Sequence, residues 1–355
     1  MTRPARVIFD PQAVRANLQR VRLHAPGRRV MAIVKADGYG HGLVRVARAL
    51  ENADAFGVAS IEEAVRLRDA AITQPIVLLE GPFEAQELPE ISVHRLESVV
   101  HNPVQVRMFA AHPEPVPLWI KIDTGMHRLG FAPEEVPEVI AQLDRPGRQL
   151  RLMTHFASAH LRGDASVESQ MAQFLAVATG REHEHCCANS SGVLAWPGVH
   201  GDWVRPGLML YGVSPFAETS ARELGLRPAM TVVSALISVR EVEAGGSVGY
   251  GRGYVCPERM PIGVVAFGYA DGYPRHAATG TPVLINGSRA QVIGECSMDM
   301  MAVDLRTVPD ARIGDPVVLW GEGLPVEEIA RAAGTIPYEL LCRMRMRAQF
   351  VQRTP

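Results

Sequence analysis

Cysteine is scarce in this chain: there are five in 355 residues, namely Cys186, Cys187, Cys256, Cys296 and Cys342. The count is odd and no C-x-x-C occurs, which argues against a disulfide framework and for a reducing cytosol. Net charge is nearly absent. Thirty-six Lys and Arg face 38 Asp and Glu, leaving −2, so no global field draws the chain to nucleic acid or to a membrane surface. No apolar run is long enough to span a bilayer. The start, Met1-Thr-Arg-Pro-Ala-Arg-Val-Ile-Phe-Asp10, lacks the apolar stretch of a signal peptide, so a cytoplasmic location is expected. There is no internal repeat, no low-complexity segment, and no G-x-G-x-x-G after the first strand of the kind a dinucleotide fold requires. His183-Glu-His-Cys-Cys187 has metal-binding residue types, but adjacent residues on an extended segment point to opposite faces. No second pair follows at finger spacing, and no metal is expected.

What is present is ordinary in bulk and specific in pattern. At 47% hydrophobic and 21% charged, the chain suits a soluble globular protein with room for two domains. Asp10 can cap a first helix reaching His24, with Pro11 in its first turn. Short apolar runs then alternate with helical patterns, at Ile33-Val34, Ala55–Ala59, Ile76–Leu79, Trp119–Ile122 and Leu150–Met153. Ser60 and Glu63 offer a capping box for the helix after the second run. Polar residues recur just after the strands: Lys35, Ser60, Glu80, Asp123, His155, Asn189 and Arg205. That is the catalytic face of an α/β fold built as a (β/α)8 barrel. Near residue 226 the pattern changes to β-rich runs with turns, closed by helices near Val326–Ala333 and Tyr338–Met346. The expected division is a barrel over residues 1–225 and a mainly β domain over 226–355.

The barrel's most informative stretch is Met31-Ala-Ile-Val-Lys-Ala-Asp-Gly-Tyr-Gly-His-Gly42. A buried strand delivers Lys35 to a loop with three glycines in five residues, and a new helix starts at Leu43. A lysine held in a crowded apolar site becomes a nucleophile toward aldehydes. With Tyr39 and glycine-bounded amides beside it to hold a phosphate, it suggests pyridoxal 5'-phosphate.

The segment resembles the cofactor-lysine motif of alanine racemases, V-K-A-N-A-Y-G-H-G, with Asp37 and Gly38 in place of Asn and Ala. At least six further motifs follow in family order, from Val7 to about Arg347. The resemblance implies that Lys35 carries the cofactor covalently and that Tyr39 binds its phosphate. Lys121-Ile-Asp-Thr-Gly-Met-His-Arg-Leu-Gly130 is similar to K-x-D-T-G-M-x-R-L-G. It implies that Arg128 bonds the cofactor's phenolic oxygen and the substrate carboxylate, with Lys121 as a carbamylated lysine that orients Arg128. In Thr154-His-Phe-Ala157, His155 is implied to stack on the cofactor. Ala188-Asn-Ser190 implies cofactor contacts from Asn189 and Ser190. Val204-Arg-Pro-Gly-Leu-Met-Leu-Tyr-Gly212 implies Arg205 at the pyridine nitrogen, with the Gly207 and Leu208 amides at the phosphate. An arginine has no acceptor, so that nitrogen stays unprotonated and transamination is restrained.

In the β-rich part, Tyr250 is implied as the second catalytic base beside Lys35, Tyr269 as a substrate-side residue at the pocket entrance, and Met298 as a contact for the substrate carboxylate. Tyr338 is implied to reach the phosphate. Ser297 replaces the family's usual Cys, and Arg343-Met-Arg-Met-Arg347 departs from R-V-P-R. The activity implied is two-base interconversion of L- and D-alanine, for peptidoglycan precursors or for catabolism. The partner implied is a second copy, in a head-to-tail homodimer with shared sites. A broader-specificity racemase of the same fold, a related basic-amino-acid decarboxylase and a non-catalytic cofactor-binding homeostasis protein are the alternatives. The last is disfavoured by the β domain, the decarboxylase by the Tyr250 motif.

Overall fold

The computed structural model describes residues 3–180, 182–344 and 347–353. It divides into two compact units. One comprises Arg15–Leu210 and Ser214–Gly225; the other comprises Met1–Val14, Tyr211–Val213 and Leu226–Pro355.

The chain enters through the second unit. Strand β1 (Arg6–Phe9) leads into helix α1 (Pro11–His24), which Asp10 caps by accepting the Ala13 amide at 3.0 Å. The barrel unit then lays down β2 (Arg29–Ile33), β3 (Ala55–Val58), β4 (Ile76–Leu78), β5 (Glu97–Val100), β6 (Leu118–Lys121), β7 (Leu150–Met153), β8 (His185–Cys186) and β9 (Trp203–Val204). Every neighbouring pair from β2 to β8 is parallel, and β9 pairs with β2. Closure comes from the Asp202 and Arg205 amides, which donate to His185 O and Ala188 O at 3.0 and 2.9 Å. Near-continuous Val, Ile, Leu and Met fill these strands because both faces are covered. Between them run α2 (Leu43–Ala49), α3 (Ile61–Asp69), α4 (Leu88–Val93), α5 (Pro103–Ala111), α6 (Val136–Leu143), α7 (Ala165–Ala178) and α8 (Ser190–Ala195).

The end of the barrel away from the strand C termini is plugged by charge and rings. Buried Arg151 pairs with Glu97 at 2.9 Å and Glu184 at 2.8 Å, and lies over the Trp119 ring at 4.9 Å. Burial would raise the Glu184 carboxyl, but bonds from Arg29, Trp203 and Arg151 outweigh it and hold it at about 2. The opposite end is thereby left to carry chemistry.

The β unit is built on β10 (Met230–Val242), with β11 (Ser247–Val248), β12 (Tyr254–Val255), β13 (Met260–Val265), β14 (Pro282–Ile285), β15 (Ser288–Ile293), β16 (Met301–Asp304), β17 (Pro316–Trp320) and β18 (Gln349–Gln352), plus α9 (Val326–Ala332) and α10 (Pro337–Cys342). Its large sheet runs β13-β16-β15-β14-β17-β10-β1-β18. Strand β1 therefore belongs here, paired antiparallel with β10 (Arg6 opposite Val233) and parallel with β18. That amends the expected boundary at the N terminus: the first strand is part of the β unit and not of a barrel over 1–225. Strand β18 forms despite the altered tail, of which Arg345 and Met346 lie outside the described residues. The helix expected to reach Met346 ends at Cys342.

Candidate active site

Strand β2 ends at Ile33, and Lys35 follows two residues later, half-buried at the mouth of the barrel. The chain then makes a left-handed turn. Ala36, Asp37, Gly38 and Tyr39 have φ of 55°, 53°, 64° and 51°, and Gly40 follows at 74°. For non-glycine residues this costs roughly 1–2 kcal/mol each, so the surroundings must enforce it. They do. The amides of Gly38, Gly40 and Gly42 donate to the carbonyls of Val34, Ala36 and Asp37 at 2.8 to 2.9 Å. His41 Nδ1 donates to Gly38 O and Tyr39 O at 3.1 and 2.8 Å. Asp37 accepts the Leu43 amide at 3.1 Å and Arg66 at 2.9 Å. Glu63 accepts the Asp37 and Ala59 amides, both at 3.0 Å. The capping box expected between Ser60 and Glu63 is therefore absent. Glu63 braces the lysine turn, and Ser60 bonds Glu62 instead.

The turn places Tyr39 against the β9 loop. A β-carbon added to Gly207 would collide with the Tyr39 hydroxyl, so only glycine permits this approach. Ser190 Oγ lies there too, accepting the amides of Gly207 at 3.0 Å and Met209 at 3.2 Å. With both lone pairs engaged, its hydroxyl acts as a donor toward any further ligand. The Gly207 amide, expected to face a phosphate, is directed at Ser190, and Leu208 opens a 3-10 turn, Leu208–Tyr211. Asn189 caps α8 by accepting the Gly192 amide at 3.0 Å, fixing the residue before Ser190. The Tyr39 and Ser190 hydroxyls, brought together across Gly207, thus form a small polar cradle of the kind that receives an anion.

The second half of the barrel site is cationic. Buried Arg205 donates through Nη1 to Cys186 O at 2.7 Å and to its Sγ at 3.4 Å, and through Nη2 to Thr154 O and to His155 Nδ1, the latter at 3.0 Å. Since a guanidinium only donates, His155 Nδ1 accepts and the ring proton sits on Nε2. Burial, then the charges of Arg205, Arg128, Lys121 and Lys35, hold the imidazole well below its usual range. Lys121 closes β6 and is lowered to about 8 by burial first, then by Arg205, Arg128 and Lys35, against a small opposing pull from Asp123.

Arg128 rides on a closed loop. Asp123 N donates to Phe131 O at 2.8 Å and Phe131 N to Lys121 O at 2.9 Å. Asp123 Oδ1 accepts the amides of Gly125, Met126 and His127 at 3.0 to 3.1 Å. Burial works against ionising Asp123, but those amides and the His127 ring outweigh it and keep its carboxyl low.

The barrel unit therefore gathers Lys35, Tyr39, Lys121, Arg128, His155, Asn189, Ser190, Arg205, Gly207 and Leu208 at the strand C termini. Tyr250, Tyr269, Met298 and Tyr338 belong to the β unit. Tyr250 opens a 3-10 turn, Tyr250–Arg252, at the tip of the β11–β12 hairpin and is 72% exposed. Tyr269 and Met298 lie on two turns joined by Tyr269 N to Ser297 O at 3.1 Å and Ala270 N to Met298 O at 3.0 Å. Tyr338 stands in the first turn of α10, its phenol raised by burial. Among the described residues no three His, Cys, Asp or Glu side chains gather as a metal site.

The supporting roles of His41, Glu63, Thr154 and Cys186 escaped sequence reasoning. His41 and Thr154 stood inside recognised motifs, yet nothing local distinguishes a brace from a neighbour. Cys186 acts through its carbonyl and sulfur, which no spacing reveals.

Residues 9–215 match the family described as alanine racemase, N-terminal domain, and residues 229–352 the one described as alanine racemase, C-terminal domain. The alanine racemase of Nitrosospira multiformis is 50% identical over 357 residues, covering 99% of this chain and all of that protein. The crystal structure of biosynthetic alanine racemase from Pseudomonas aeruginosa superimposes with a TM-score of 0.97 at 46% identity, covering 99% of this chain and 100% of that one. Alanine racemase from Bartonella henselae, crystallised with covalently bound pyridoxal phosphate, superimposes with a TM-score of 0.88 at 28% identity, covering 99% of both chains.

Proposed function

The chain belongs to the alanine racemase family, and from that premise we infer that it interconverts L- and D-alanine with pyridoxal 5'-phosphate as cofactor. One observation supports the cofactor most. The Tyr39–Ser190–Gly207 cradle, suited to a phosphate, lies in the same barrel mouth as Lys35 and the donor-only Arg205. When bound, the cofactor supplies an electron-withdrawing ring that acidifies the substrate's α-C–H.

The chain's own residues do the rest. Lys35 would hold the cofactor covalently, and its Nζ would take the α-proton on one face. A proton returned from the same face would restore the starting enantiomer. A second acid on the opposite face is therefore required, and Tyr250 Oη fills that role. Tyr39, Ser190, the Leu208 amide and Tyr338 hold the phosphate, with the Gly207 amide spent on Ser190 Oγ and Asn189 keeping the Ser190 turn in place. His155 stacks on the ring. Arg205 would keep the ring nitrogen unprotonated, because a guanidinium only donates and has no lone pair, so a nitrogen facing it must be the acceptor. Arg128 binds the substrate carboxylate and the phenolic oxygen. Lys121 near 8 is partly neutral under physiological conditions and open to carbon dioxide. A carbamate there is an anion that orients Arg128, which an ammonium cannot do. Tyr269 and Met298 face the substrate.

The site is shared in a head-to-tail homodimer, a reading supported by the exposure of the Tyr250 ring in a single chain. Two-fold closure makes two equal sites. A cytoplasmic location fits five cysteines that form no disulfide, and no helix among the described residues is long and apolar enough to cross a membrane.

Circular dichroism of an L-alanine solution with purified protein tests the activity: the signal should decay to zero, and a signal that persists defeats the reading. L-Serine and L-lysine in parallel measure side-chain tolerance. Borohydride reduction and peptide mapping should place the pyridoxyl group on Lys35. Lys35→Ala and Tyr250→Ala, each inactive, should regain activity when co-expressed as mixed dimers. Mixed dimers without activity would mean each chain builds its own site.

A further inference from the structure

We propose that Gln170 is a positioning residue whose buried carboxamide sets the His155 segment and the Arg128 loop against Arg205. It lies on α7, outside every motif that carries the family resemblance, and is 3% exposed. Its Oε1 accepts the Ala157 amide at 3.0 Å, and its Nε2 donates to His155 O at 3.2 Å and Thr124 Oγ1 at 3.3 Å.

The proton directions follow from the donors available. Thr154 Oγ1 donates to Ile122 O at 2.9 Å, which consumes its one proton. In the 2.7 Å contact between Thr124 Oγ1 and Thr154 Oγ1, Thr124 is therefore the donor. Thr124 is then left as an acceptor for Gln170 Nε2. One directed chain runs from Gln170 through Thr124 and Thr154 to Ile122, and the Ala157 amide fixes the carboxamide against flipping. Every donor meets an acceptor, and the arrangement has a single solution.

The position of this chain gives it a consequence. Residues 154–157 are gripped from one side by Gln170 and from the other by Arg205, which bonds Thr154 O and His155 Nδ1. The Gln170 stem also lies under the Arg128 loop, where a β-carbon on Gly125 would meet its Cγ at 3.5 Å. Losing the carboxamide frees the His155 backbone on its outer side, and the imidazole loses its fixed height relative to Arg205. This inference rests on the proposed placement of His155 and Arg128 at the cofactor.

The test compares Gln170→Leu, Gln170→Glu, Thr124→Val and Thr124→Ser in the cofactor-loaded protein. Nitrogen-15 spectra of labelled histidine, with His155 assigned by substitution, report the ring independently of turnover. Gln170→Leu should shift the His155 nitrogens and lower kcat for alanine at least about tenfold with KM within about threefold, since small misplacements at a site cost rate steeply. Gln170→Glu should resemble it, because a carboxylate cannot donate to His155 O. Thr124→Ser should match wild type, and Thr124→Val should show part of the Gln170→Leu effect. Thr124→Val added to Gln170→Leu should cost less than the product of the two. A Gln170→Leu protein that melts lower but keeps its His155 signals and kcat would overturn the proposal and leave Gln170 a packing residue. If that variant does not fold, Thr124→Val carries the same two readouts. A wild type without racemase activity would sink the functional reading, while the His155 spectra would still decide the role of Gln170.

Discussion

The hydroxyl of Tyr39 occupies the space that a β-carbon on Gly207 would need. The loops that follow the neighbouring parallel strands β2 and β9 thus meet without room for one methyl group. Gly207→Ala should push the phenol away. We expect a loss of about 1–3 kcal/mol of stability from overpacking. Cofactor affinity should weaken at least about tenfold, since one charge-assisted hydrogen bond is worth about that much or more. Thermal melting and absorbance titration with pyridoxal phosphate measure the two effects. Unchanged affinity would show that Tyr39 is not a phosphate ligand.

His41 makes the lysine turn sensitive to acid. Burial is the chief cause of its lowering to about 4, with a small part from Arg45, against bonds to Tyr39 O and Gly38 O that favour the charged form. In the unfolded chain it titrates near 6.5. The neutral ring's contribution is complete above about 6.5 and is lost as pH falls from there toward 4, because the unfolded chain takes the proton first. The full loss is on the order of 3 kcal/mol. The melting temperature should fall over that window, and less steeply in His41→Asn. Equal slopes in both proteins would remove His41 from the account.

How much of this was legible in the sequence depends on the range of each interaction. The barrel strands and their polar termini showed because a buried parallel strand is a run of β-branched residues and its active end is a sharp change of polarity. Leu43, Val46, Ala47 and Leu50, read as one helix face, are all buried. Strand β1 did not show, since its four residues pair with Met230–Val233, more than 200 residues away, and nothing local announces a partner at that distance. The left-handed turn was legible as three glycines but not as Ala36, Asp37 and Tyr39 at positive φ, because what enforces those angles is His41, Glu63 and Arg66. Gln170 gave no signal at all. A glutamine inside a helix looks like solvated surface until the loops above it are known.

The N-terminal arm offers a third expectation. Arg3 donates to buried Asp271 at 2.7 Å and to Asp299 O at 2.7 Å, and Asp271 also accepts the Gly268 amide at 2.9 Å. These bonds tie the turn bearing Tyr269 to the one bearing Met298. Breaking a buried ion pair leaves a desolvated charge, and Arg3→Ala should cost roughly 2–4 kcal/mol. Hydrogen exchange at the Tyr269 and Ala270 amides should speed up more than at strand β10. Uniform change across the β unit, or none, would deny Arg3 a local role.

Lys121 allows a prediction about chemistry at an amine. Carbamylation joins the neutral amine to carbon dioxide, R-NH2 + CO2 giving R-NH-COO⁻ and H⁺, so it needs an unprotonated lysine. At an ordinary value near 10.5 only a trace would be neutral at pH 7.5. At about 8 the neutral fraction at that pH is roughly a quarter. Arg128, Arg205 and Lys35, three of the causes of the lowering, also favour the anion once formed, so the same field that deprotonates the amine retains the product. Carbon-13 spectra under labelled carbon dioxide at fixed partial pressure should therefore show one carbamate signal that grows as pH rises from about 7 to about 8.5. Lys121→Arg should abolish it, because a guanidinium stays protonated throughout. A signal that survives in Lys121→Arg would assign the carbamate to another lysine or to the N terminus. No signal in wild type would leave Lys121 an ammonium among cations and return the orientation of Arg128 to its own loop, where Asp123 and the amides it gathers hold the chain closed.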